Sequence, residues 1–240
     1  MDLCIVIPAR MGATRFPGKP LADLNGKPMV WWVYERALAS GAASRVVVAT
    51  PDEEIVEAIR ALGGEAGLTS PDHPTGTDRI AEAAEHLGAE LYVNVQGDEP
   101  LIEPETIRAC AEALRGGVAE VASVYDDLGE EAADDPNVVK VVLDGRGNAL
   151  YFSRSPIPYP RSGSRKLHKH IGIYGYTLGA LRAFAALPPG ELEQTESLEQ
   201  LRFLENGWVI RMAKGRGTPL AVDTPEQLER VRRIMENAIR

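Results

Sequence analysis

The sequence predicts an α/β fold in which a mostly parallel central sheet is flanked by helices. Short apolar runs rich in β-branched residues alternate with amphipathic helical stretches, as in sheets that helices cover. The early runs are apolar at nearly every position, which is typical of strands buried on both faces. A length of 240 residues, with 44% hydrophobic and 25% charged residues, suits one large globular domain over residues 1–240.

Three early apolar runs are the predicted central strands. They are LCIVI (3–7), RVVVAT (45–50) and LYVNV (91–95). After Tyr125 the pattern changes, because VVKVVLD, ALYFS and HIGIYGY follow without long helices between them. These runs predict hairpin-like strands layered beside the main sheet, in a smaller mixed sub-region at 126–205. The segment PIPYPRSGSRKLHKH predicts an exposed loop.

Two helix starts are predicted by the same local chemistry. Thr50-Pro51-Asp52-Glu53 and Thr224-Pro225-Glu226-Gln227 each combine a capping Thr, Pro at the first helical position, and Glu or Gln three residues after the Thr. In the last helix, apolar side chains recur with a helical period and predict an inward stripe. Its members are Leu228, Val231, Ile234, Met235 and Ala238.

Composition excludes several classes of protein. The net charge of −9 and the pI near 5.1 argue against a nucleic-acid or anionic-membrane partner, which needs a basic face. Two cysteines, Cys4 and Cys110, build neither a disulfide framework nor a metal knuckle. The start MDLCIVIPAR lacks the charge and length of a signal peptide, and no run approaches the ~20 apolar residues of a membrane helix. We expect a cytoplasmic protein.

The segment MGATRFPGKP (11–20) has the ingredients of a phosphate-binding loop but not its spacing. A Walker loop has four residues between its glycines, followed by Lys and then Ser or Thr. Here five residues separate Gly12 from Gly18, and Lys19 is followed by Pro20. The segment is therefore not a Walker loop.

Charge nevertheless favours an anion site near this segment. Between Leu3 and Ala22 the chain carries Arg10, Arg15 and Lys19 and no acidic residue, although the protein as a whole is acidic. Such a local reversal of sign suggests that an anion binds there. A solvated loop whose basic residues pair with acids elsewhere explains the charges equally well.

Two aspartates follow predicted strands at positions where ligands bind in α/β sheets. Asp98, in VNVQGDEPLI (93–102), comes directly after a buried strand, and Asp223 follows Leu220-Ala221-Val222, which reads as another short strand. Carboxylates suit Mg²⁺, so both aspartates could join one ion. The alternative is a polar turn at Asp98 and a favourable helix-start aspartate at Asp223.

The segment DHPTGTDR (72–79) is a weaker candidate for binding a nucleotide. Its small and hydroxyl residues let a base approach the backbone closely, and the region of Thr77 opens a helix whose N-terminal amides favour anions. An ordinary helix cap explains the same residues.

Together these segments resemble the family of 3-deoxy-manno-octulosonate cytidylyltransferases, the CMP-Kdo synthetases, from the first strand to the last helix. The similar segments are PAR (8–10), TRFPGKPL (14–21), DHPTGTDR (72–79), NVQGDEP (94–100), ALYFSR (149–154), HIGIYGY (170–176), ESLEQLR (196–202) and VDTPEQLERVR (222–232). The sequence departs at Ala13 and Phe16, where the family usually has Ser and Leu, and in a shorter loop before HIGIYGY. Arg161, Arg165 and Lys166 in that loop have no role assigned by the resemblance.

The resemblance implies a Rossmann-like sheet of the nucleotide-diphospho-sugar transferase type. It implies that the anomeric hydroxyl of Kdo attacks the α-phosphate of CTP, releasing pyrophosphate and forming CMP-Kdo for lipopolysaccharide biosynthesis. Mg²⁺ is the implied cofactor, held by Asp98 and Asp223. The family is usually dimeric, with the strands after Tyr125 as the expected contact.

The resemblance also implies the residues of the site. The catalytic residues are Arg10, Arg15, Lys19, Asp98 and Asp223. CTP is expected to bind at Pro8, Ala9, Arg10, Gly12, Lys19, Thr75, Gly76, Thr77, Arg79, Gln96 and Asp98. Kdo is expected to bind at Gln96, Arg154, His170, Tyr174, Glu199 and Gln200. Without the resemblance, His170 reads as a core histidine, and Glu199 and Gln200 as an exposed helix face.

Three other functions compete with this interpretation. The nearest is another CMP-sugar synthetase, one that acts on sialic acid or on an amino-Kdo analogue. A glycosyltransferase that consumes a nucleotide sugar usually carries an Asp-x-Asp metal motif, which Asp98-Glu99-Pro100 lacks. A non-catalytic nucleotide-binding module would bind CTP without turnover.

Overall fold

A central sheet covered by helices organises the computed structural model, which describes residues 1–12, 15–161, 163, 166–218 and 220–239. The strands are β1 (Leu3–Pro8), β2 (Asp23–Leu24), β3 (Lys27–Pro28), β4 (Arg45–Thr50), β5 (Ala66–Leu68), β6 (Leu91–Asn94), β7 (Val121–Leu128), β8 (Lys140–Leu143), β9 (Ala149–Ser153), β10 (Leu167–Thr177) and β11 (Ile210–Lys214). The helices are α1 (Met29–Ala39), α2 (Glu53–Ala61), α3 (Gly76–Leu87), α4 (Pro104–Arg115), α5 (Leu178–Ala186), α6 (Glu191–Glu196), α7 (Leu201–Glu205) and α8 (Pro225–Ile239).

The main sheet has the order β11-β7-β10-β6-β1-β4-β5. Only β10 runs against its neighbours β6 and β7, while the pairs β1–β4, β1–β6, β4–β5 and β7–β11 are parallel. Strands β8 and β9 form a hairpin that joins the sheet through β10. The prediction of a mostly parallel sheet is confirmed.

Helices cover both faces because successive side chains of the central strands point to opposite sides. In β1, Leu3, Ile5 and Ile7 pack in the cluster that includes buried residues of α1, α2 and α4. Cys4 and Val6 pack in the cluster that includes buried residues of α3, α5 and α7. The run is apolar at consecutive positions because both faces are covered, as its sequence predicts.

The crevice for a ligand lies where the chain changes direction across the sheet. From β1 the chain builds outward through β4 and β5, then returns to place β6 on the other side of β1. Open α/β sheets bind ligands at the carboxyl ends of strands at such a point. Gly97 lets the two strand ends approach, since a Cβ there would lie 2.8 Å from the Pro8 carbonyl oxygen.

The predicted start of the second helix is wrong by two residues. Thr50 is a buried strand residue paired with Leu68, and α2 begins at Glu53. The Thr50 hydroxyl instead accepts a hydrogen bond from the Asp52 amide at 3.1 Å. Pairing with β5 therefore overrides the local capping signal, and Asp52 takes the N-cap position.

The predicted start of the last helix is confirmed. The Thr224 hydroxyl accepts from the Gln227 amide at 3.4 Å, and the Gln227 side chain accepts from the Thr224 amide at 2.9 Å. Of the predicted stripe, Leu228, Val231 and Met235 are buried. The prediction that Ile234 faces inward is wrong, since its side chain is 39% exposed. The buried stripe of α8 is therefore narrower than predicted. The side chain of Ala238 lies outside the described part.

Two predictions about strands need correction. Residues 220–222 form no strand in the described chain; Val222 is instead tied to the loop after β6 by a hydrogen bond from its amide to the Asp98 carbonyl at 2.9 Å. The strands predicted after Tyr125 do not all lie beside the main sheet, because HIGIYGY lies in β10, which is a member of it. Only the β8–β9 hairpin lies off that path.

The two cysteines are free and buried, as expected for side chains without a disulfide partner. None of the helices in the described ranges combines the length and apolar character needed to cross a membrane.

Candidate active site

A cavity of about 360 Å³ opens at the carboxyl ends of β1 and β6, where the sequence places the ligand. It brings together most of the predicted nucleotide and catalytic residues. Those that line it are Pro8, Ala9, Arg10, Arg15, Lys19, Thr75, Gly76, Arg79, Gln96, Asp98 and Asp223. Gly12 and Thr77, also predicted to bind CTP, do not line it.

The segment MGATRFPGKP (11–20), called the opening loop from here on, is anchored at Met11 and Gly18, which aims Lys19 at the cavity. The Met11 amide donates to the Asp52 carboxylate at 2.8 Å, and the Gly18 amide donates to the Met11 carbonyl at 2.9 Å. Gly18 has a φ of 75°, a left-handed conformation that favours glycine, immediately before Lys19. Ala13 and Thr14, where one departure from the family pattern falls, lie outside the described residues, as does Arg165.

Lys19 joins the two predicted metal-binding aspartates. Its Nζ lies 2.8 Å from Asp98 Oδ2, 3.2 Å from Asp223 Oδ1 and 3.0 Å from the Val222 carbonyl oxygen. The Lys19 side chain is only 15% exposed. Arg15 adds a second cation, with its Nη2 3.1 Å from Asp223 Oδ2. The two aspartates therefore meet in one place, although they are far apart in sequence.

Backbone contacts hold Asp223 at the end of β6. The Val222 amide donates to the Asp98 carbonyl, and the Asp223 amide donates to the Gln227 side chain at 2.6 Å. The first bond ties residue 222 to the loop after β6, and the second ties residue 223 to the first turn of α8. Asp223 reaches the cavity by these two bonds and without the predicted strand.

The donor set at this point fits a hard divalent cation. Two carboxylates share one ammonium group, which marks a position where positive charge is stabilised. Mg²⁺ is usually held by one or two carboxylates, with waters and substrate phosphates completing its shell. Within the described ranges no cluster of three or more Asp, Glu, His or Cys side chains could hold a metal by itself. A metal here would complete its shell with waters or with oxygens of the ligand.

The wall formed by the start of α3 is suited to close approach. The Thr75 hydroxyl caps α3 by accepting from the Asp78 amide at 3.2 Å. A Cβ at Gly76 would lie 3.6 Å from Pro8 Cγ, so the helix start packs against the end of β1. Arg79 is buried, and its burial together with the charge of Arg10 lowers its pKa. Arg10 and Arg79 both line the cavity, so this part of it carries two cations.

Only two of the predicted sugar residues, Gln96 and Glu199, line the cavity. Thr77, which was predicted to bind CTP, lies outside the lining and contacts one of its residues. Its hydroxyl donates to Glu199 Oε2 at 2.7 Å. Burial raises the pKa of Glu199, although the hydrogen bond from Thr77 acts in the opposite direction. Glu199 is therefore held in place at the side of the cavity.

Tyr174 and Gln200 form a buried pair next to this wall. The Tyr174 hydroxyl donates to Gln200 Oε1 at 3.0 Å. The Gln200 side-chain Nε2 is buried and has no hydrogen-bond partner among the described residues. A buried amide donor without a partner costs free energy unless a ligand or water satisfies it. Gln200 therefore does not occupy the exposed helix face that its sequence alone suggests.

His170 is neutral, and its hydrogen is placed by its neighbours. Burial lowers its pKa to about 3. The Ser123 hydroxyl donates to the Ile173 carbonyl at 2.8 Å, so the His170 Nε2 must donate to Ser123 Oγ, 2.9 Å away. The Nδ1 of His170 is consequently an acceptor. His170 belongs to an aromatic row with Phe152 and Tyr174, and it does not line the cavity.

Arg154 lies away from the cavity lining and is tied to backbone carbonyls. Its Nε donates to the Glu196 carbonyl at 2.7 Å, its Nη1 to the Pro136 carbonyl at 3.0 Å and its Nη2 to the Ser197 carbonyl at 3.3 Å. A guanidinium has five N–H groups, so two of those of Arg154 have no partner among the residues that the structure describes.

Sequence reasoning missed three residues that shape the site. Asp52 holds the opening loop, but its sequence context indicates only a helix start. Ser123 orients His170 from the neighbouring strand, and no sequence signal identifies it. His73 lines the cavity and lies inside the segment DHPTGTDR, so a nearby signal existed.

Comparisons with known proteins place the chain in one family. A family model described as cytidylyltransferase matches residues 4–214. A 3-deoxy-manno-octulosonate cytidylyltransferase of Anaeromyxobacter dehalogenans (strain 2CP-C) is 52% identical over 237 residues, covering 97% of each chain. One of Geobacter sulfurreducens (strain ATCC 51573 / DSM 12127 / PCA) is 49% identical over 251 residues, covering 96% of this chain and 98% of its own.

Solved structures agree with the sequence comparisons. A CMP:2-keto-3-deoxy-manno-octonic acid synthetase complexed with CTP is 44% identical, with a TM-score of 0.96, and the match covers 99% of this chain and 100% of the other. A nucleotidyl transferase from Methanothermobacter thermautotroptrophicus, at 17% identity and a TM-score of 0.65 over 99% of each chain, shares the fold alone. The resemblance seen in the motifs is confirmed: the chain belongs to the cytidylyltransferase family, as one of the 3-deoxy-manno-octulosonate cytidylyltransferases.

Proposed function

We propose that this protein transfers CMP from CTP to the anomeric hydroxyl of Kdo, releasing pyrophosphate and forming CMP-Kdo for lipopolysaccharide biosynthesis. The observation that carries the proposal is the meeting of Lys19 and Arg15 with Asp98 and Asp223 at one cavity. The names of relatives about half identical over nearly the whole chain support the same reaction. So does the solved relative complexed with CTP.

For this reaction the protein must align the two substrates and neutralise the charge of the triphosphate. The anomeric oxygen attacks the α-phosphorus, the bond from that phosphorus to the bridging oxygen breaks, and pyrophosphate leaves with the electron pair. The proton of the hydroxyl passes to solvent. Arg10, Arg15 and Lys19 line the cavity and would neutralise the triphosphate, which stabilises the charge that develops on the leaving group.

Asp98 and Asp223 would hold Mg²⁺. Their carboxylates share the Lys19 ammonium, so this region already stabilises positive charge. When bound, the ion supplies electrostatic stabilisation of phosphate oxygens. The protein's own part is to keep both carboxylates on one side of the cavity, through the contacts of Val222 and Gln227.

The acidic sugar would lie along Gln96 and Glu199, with Tyr174, Gln200, His170 and Arg154 behind them. The unpartnered Nε2 of Gln200 supports this placement, because a hydroxyl or carboxylate oxygen of the sugar would satisfy it. The acceptor Nδ1 of neutral His170 suits a sugar hydroxyl. The two remaining N–H groups of Arg154 would serve the sugar carboxylate, which requires a movement of that side chain or of the sugar toward it.

We also propose that the protein is a cytoplasmic homodimer that pairs through the sub-region at 126–205. Two large apolar side chains in that sub-region, Leu150 and Tyr159, are exposed. A second copy covering them would remove apolar surface from water. The cytoplasm supplies the CTP that the reaction consumes.

The test is an incubation with CTP, Kdo and Mg²⁺ in which pyrophosphate release is followed. UTP and ATP replace CTP in the controls, and a further control omits the sugar. A panel with sialic acid and an amino-Kdo analogue separates Kdo from related acidic sugars. Binding of CTP without pyrophosphate release with any sugar would instead indicate a non-catalytic nucleotide-binding module.

A further inference from the structure

The loop between β5 and α3, residues 69–75, is fixed to α3 by two side chains one turn apart. Arg79 Nη1 donates to the Ser70 carbonyl at 2.9 Å, and Glu82 Oε2 accepts from the Ser70 amide at 2.8 Å. Arg79 also donates to the Thr69 hydroxyl. Both backbone groups of Ser70 are thus occupied by α3. The residues that follow, His73 to Gly76, are held against the cavity that they line.

Glu82 also orients His73. The Nε2 of His73 is hydrogen-bonded to Glu82 Oε2. Although burial raises the pKa of Glu82, the bonds from His73 and from the Ser70 amide lower it below its usual value overall. Glu82 is therefore a carboxylate that can only accept, so the Nε2 of His73 carries a hydrogen, and in the neutral imidazole its Nδ1 is then an acceptor. The other ring nitrogen of His73, Nδ1, has no hydrogen-bond partner in the described part of the chain.

His73 lies on the side of the site where a nucleobase would be. A triphosphate bound by Lys19 and Arg15 lies beside Asp98, which follows β6. The loop that carries His73 follows β5 and comes from the opposite side of β1. A nucleotide that spans the cavity from the lysine therefore presents its base to the wall of His73, Pro74 and Pro8.

We propose that His73, oriented by Glu82, accepts a hydrogen bond at Nδ1 from the exocyclic amine of cytosine and so selects CTP over UTP. The proposal rests on the proposed function, which makes CTP the nucleotide substrate. Uracil carries a carbonyl oxygen in place of that amine. Two acceptors would then face each other, and a site built around a hydrogen bond rejects an analogue that cannot make it, because a polar group is left without a partner. His73 is thus a specificity-determining residue, and Glu82 is a positioning residue.

The experiment compares the ratio of kcat/KM for CTP to that for UTP in the wild type and in three variants. His73→Gln keeps an amide near Nε2 that can reach Glu82, but it removes Nδ1. Glu82→Gln keeps an acceptor for the Ser70 amide, but its amide can also donate to His73 and so allows the hydrogen to move to Nδ1. His86→Gln is the matched control, on the exposed last turn of the same helix. Thermal unfolding checks that each variant is folded.

We expect the CTP-to-UTP ratio to fall about tenfold in His73→Gln, mainly through a higher KM for CTP, as the loss of one hydrogen bond implies. In Glu82→Gln the ratio falls because UTP improves, which a purely structural role for Glu82 would not produce. An unchanged ratio in His73→Gln, in an active enzyme, overturns the proposal and leaves the proposed function intact. If the wild type releases no pyrophosphate, the proposed function fails, and calorimetric affinities for CTP and UTP decide on His73 instead.

Discussion

Removal of the Lys19 ammonium is the sharpest test of the site. Lys19→Met keeps the length of the side chain but deletes the cation between Asp98 and Asp223. The facing carboxylate oxygens are 2.8 and 3.2 Å from the same nitrogen, so they are at most about 6 Å apart, the sum of those distances. The variant therefore leaves two like charges close together with nothing between them.

The expected cost in stability follows from that separation. Two unit charges 6 Å apart repel by about 3 kcal/mol at an effective dielectric constant of 20, and by about 0.7 kcal/mol in water. The two carboxylates are 29% and 36% exposed, and Arg15 remains on Asp223, so solvent and this second cation screen the repulsion. We expect a loss of about 1 to 2 kcal/mol, which lowers Tm by about 2 to 8 °C in a chain of this size.

Mg²⁺ should replace the missing charge without any nucleotide. Thermal unfolding is measured with and without millimolar MgCl₂, against NaCl of equal ionic strength, and we expect Mg²⁺ to raise the Tm of Lys19→Met more than that of the wild type. Turnover should fall on the order of a hundredfold or more, as the loss of a positioned charge stabiliser commonly causes. Lys27→Met is the control, since Lys27 pairs with Glu35 and does not line the cavity. Turnover near the wild-type rate, or equal responses to Mg²⁺, would refute the reasoning.

Three further predictions concern single residues. Asp98→Asn should abolish the Mg²⁺ dependence of activity while the protein stays folded, and an unchanged Mg²⁺ titration would exclude Asp98 as a ligand. His170 has its pKa lowered from 6.5 to about 3, so the unfolded chain binds one more proton between these values and stability falls as the pH drops. The loss is about 1.4 kcal/mol per pH unit below 6.5, measured by denaturation, and an equal slope in His170→Gln would contradict it. Gly97→Ala should lower both Tm and turnover, the latter at least about tenfold, because its Cβ would lie 2.8 Å from the Pro8 carbonyl oxygen and push the strand ends apart. Wild-type values of both quantities would show that the strand ends can move without cost.

The central strands were predictable because their pattern depends on burial alone. Strand β1 is apolar on both faces, and a short run of β-branched and other apolar residues that ends at Pro8 is typical of a buried strand. The position of Thr50 in a strand was not predictable, because a Thr that caps a helix and a Thr that ends a strand can stand in the same local sequence. Its pairing with Leu68 decides between them, and this pairing depends on how β4 and β5 meet. Element type therefore followed from the sequence, whereas boundaries depended on tertiary contacts.

Some features of the candidate site could likewise be predicted from the sequence, and others could not. The position of Asp98 after a buried strand and the local excess of cations in the opening loop indicated the cavity from sequence. The contacts that make the cavity specific were not predictable, because they join residues with no common sequence pattern. Asp52 holds Met11, and Glu82 holds His73. Each of these contacts needs the two chain segments to be brought together first.

The two explanations of the basic opening loop turn out to be compatible. Lys19 and Arg15 do pair with acids elsewhere, and those acids are Asp98 and Asp223, which belong to the same cavity. Without a ligand, the cations and the carboxylates satisfy one another, so neither set is left as an uncompensated buried charge. A triphosphate bound together with Mg²⁺ would bring a cation and an anion to the same cavity. The carboxylates of Asp98 and Asp223 would then bind the metal in place of the Lys19 ammonium, and Lys19 and Arg15 would bind phosphate in place of the carboxylates. Each ion pair would thus be replaced by another, and no charge would be left without a partner.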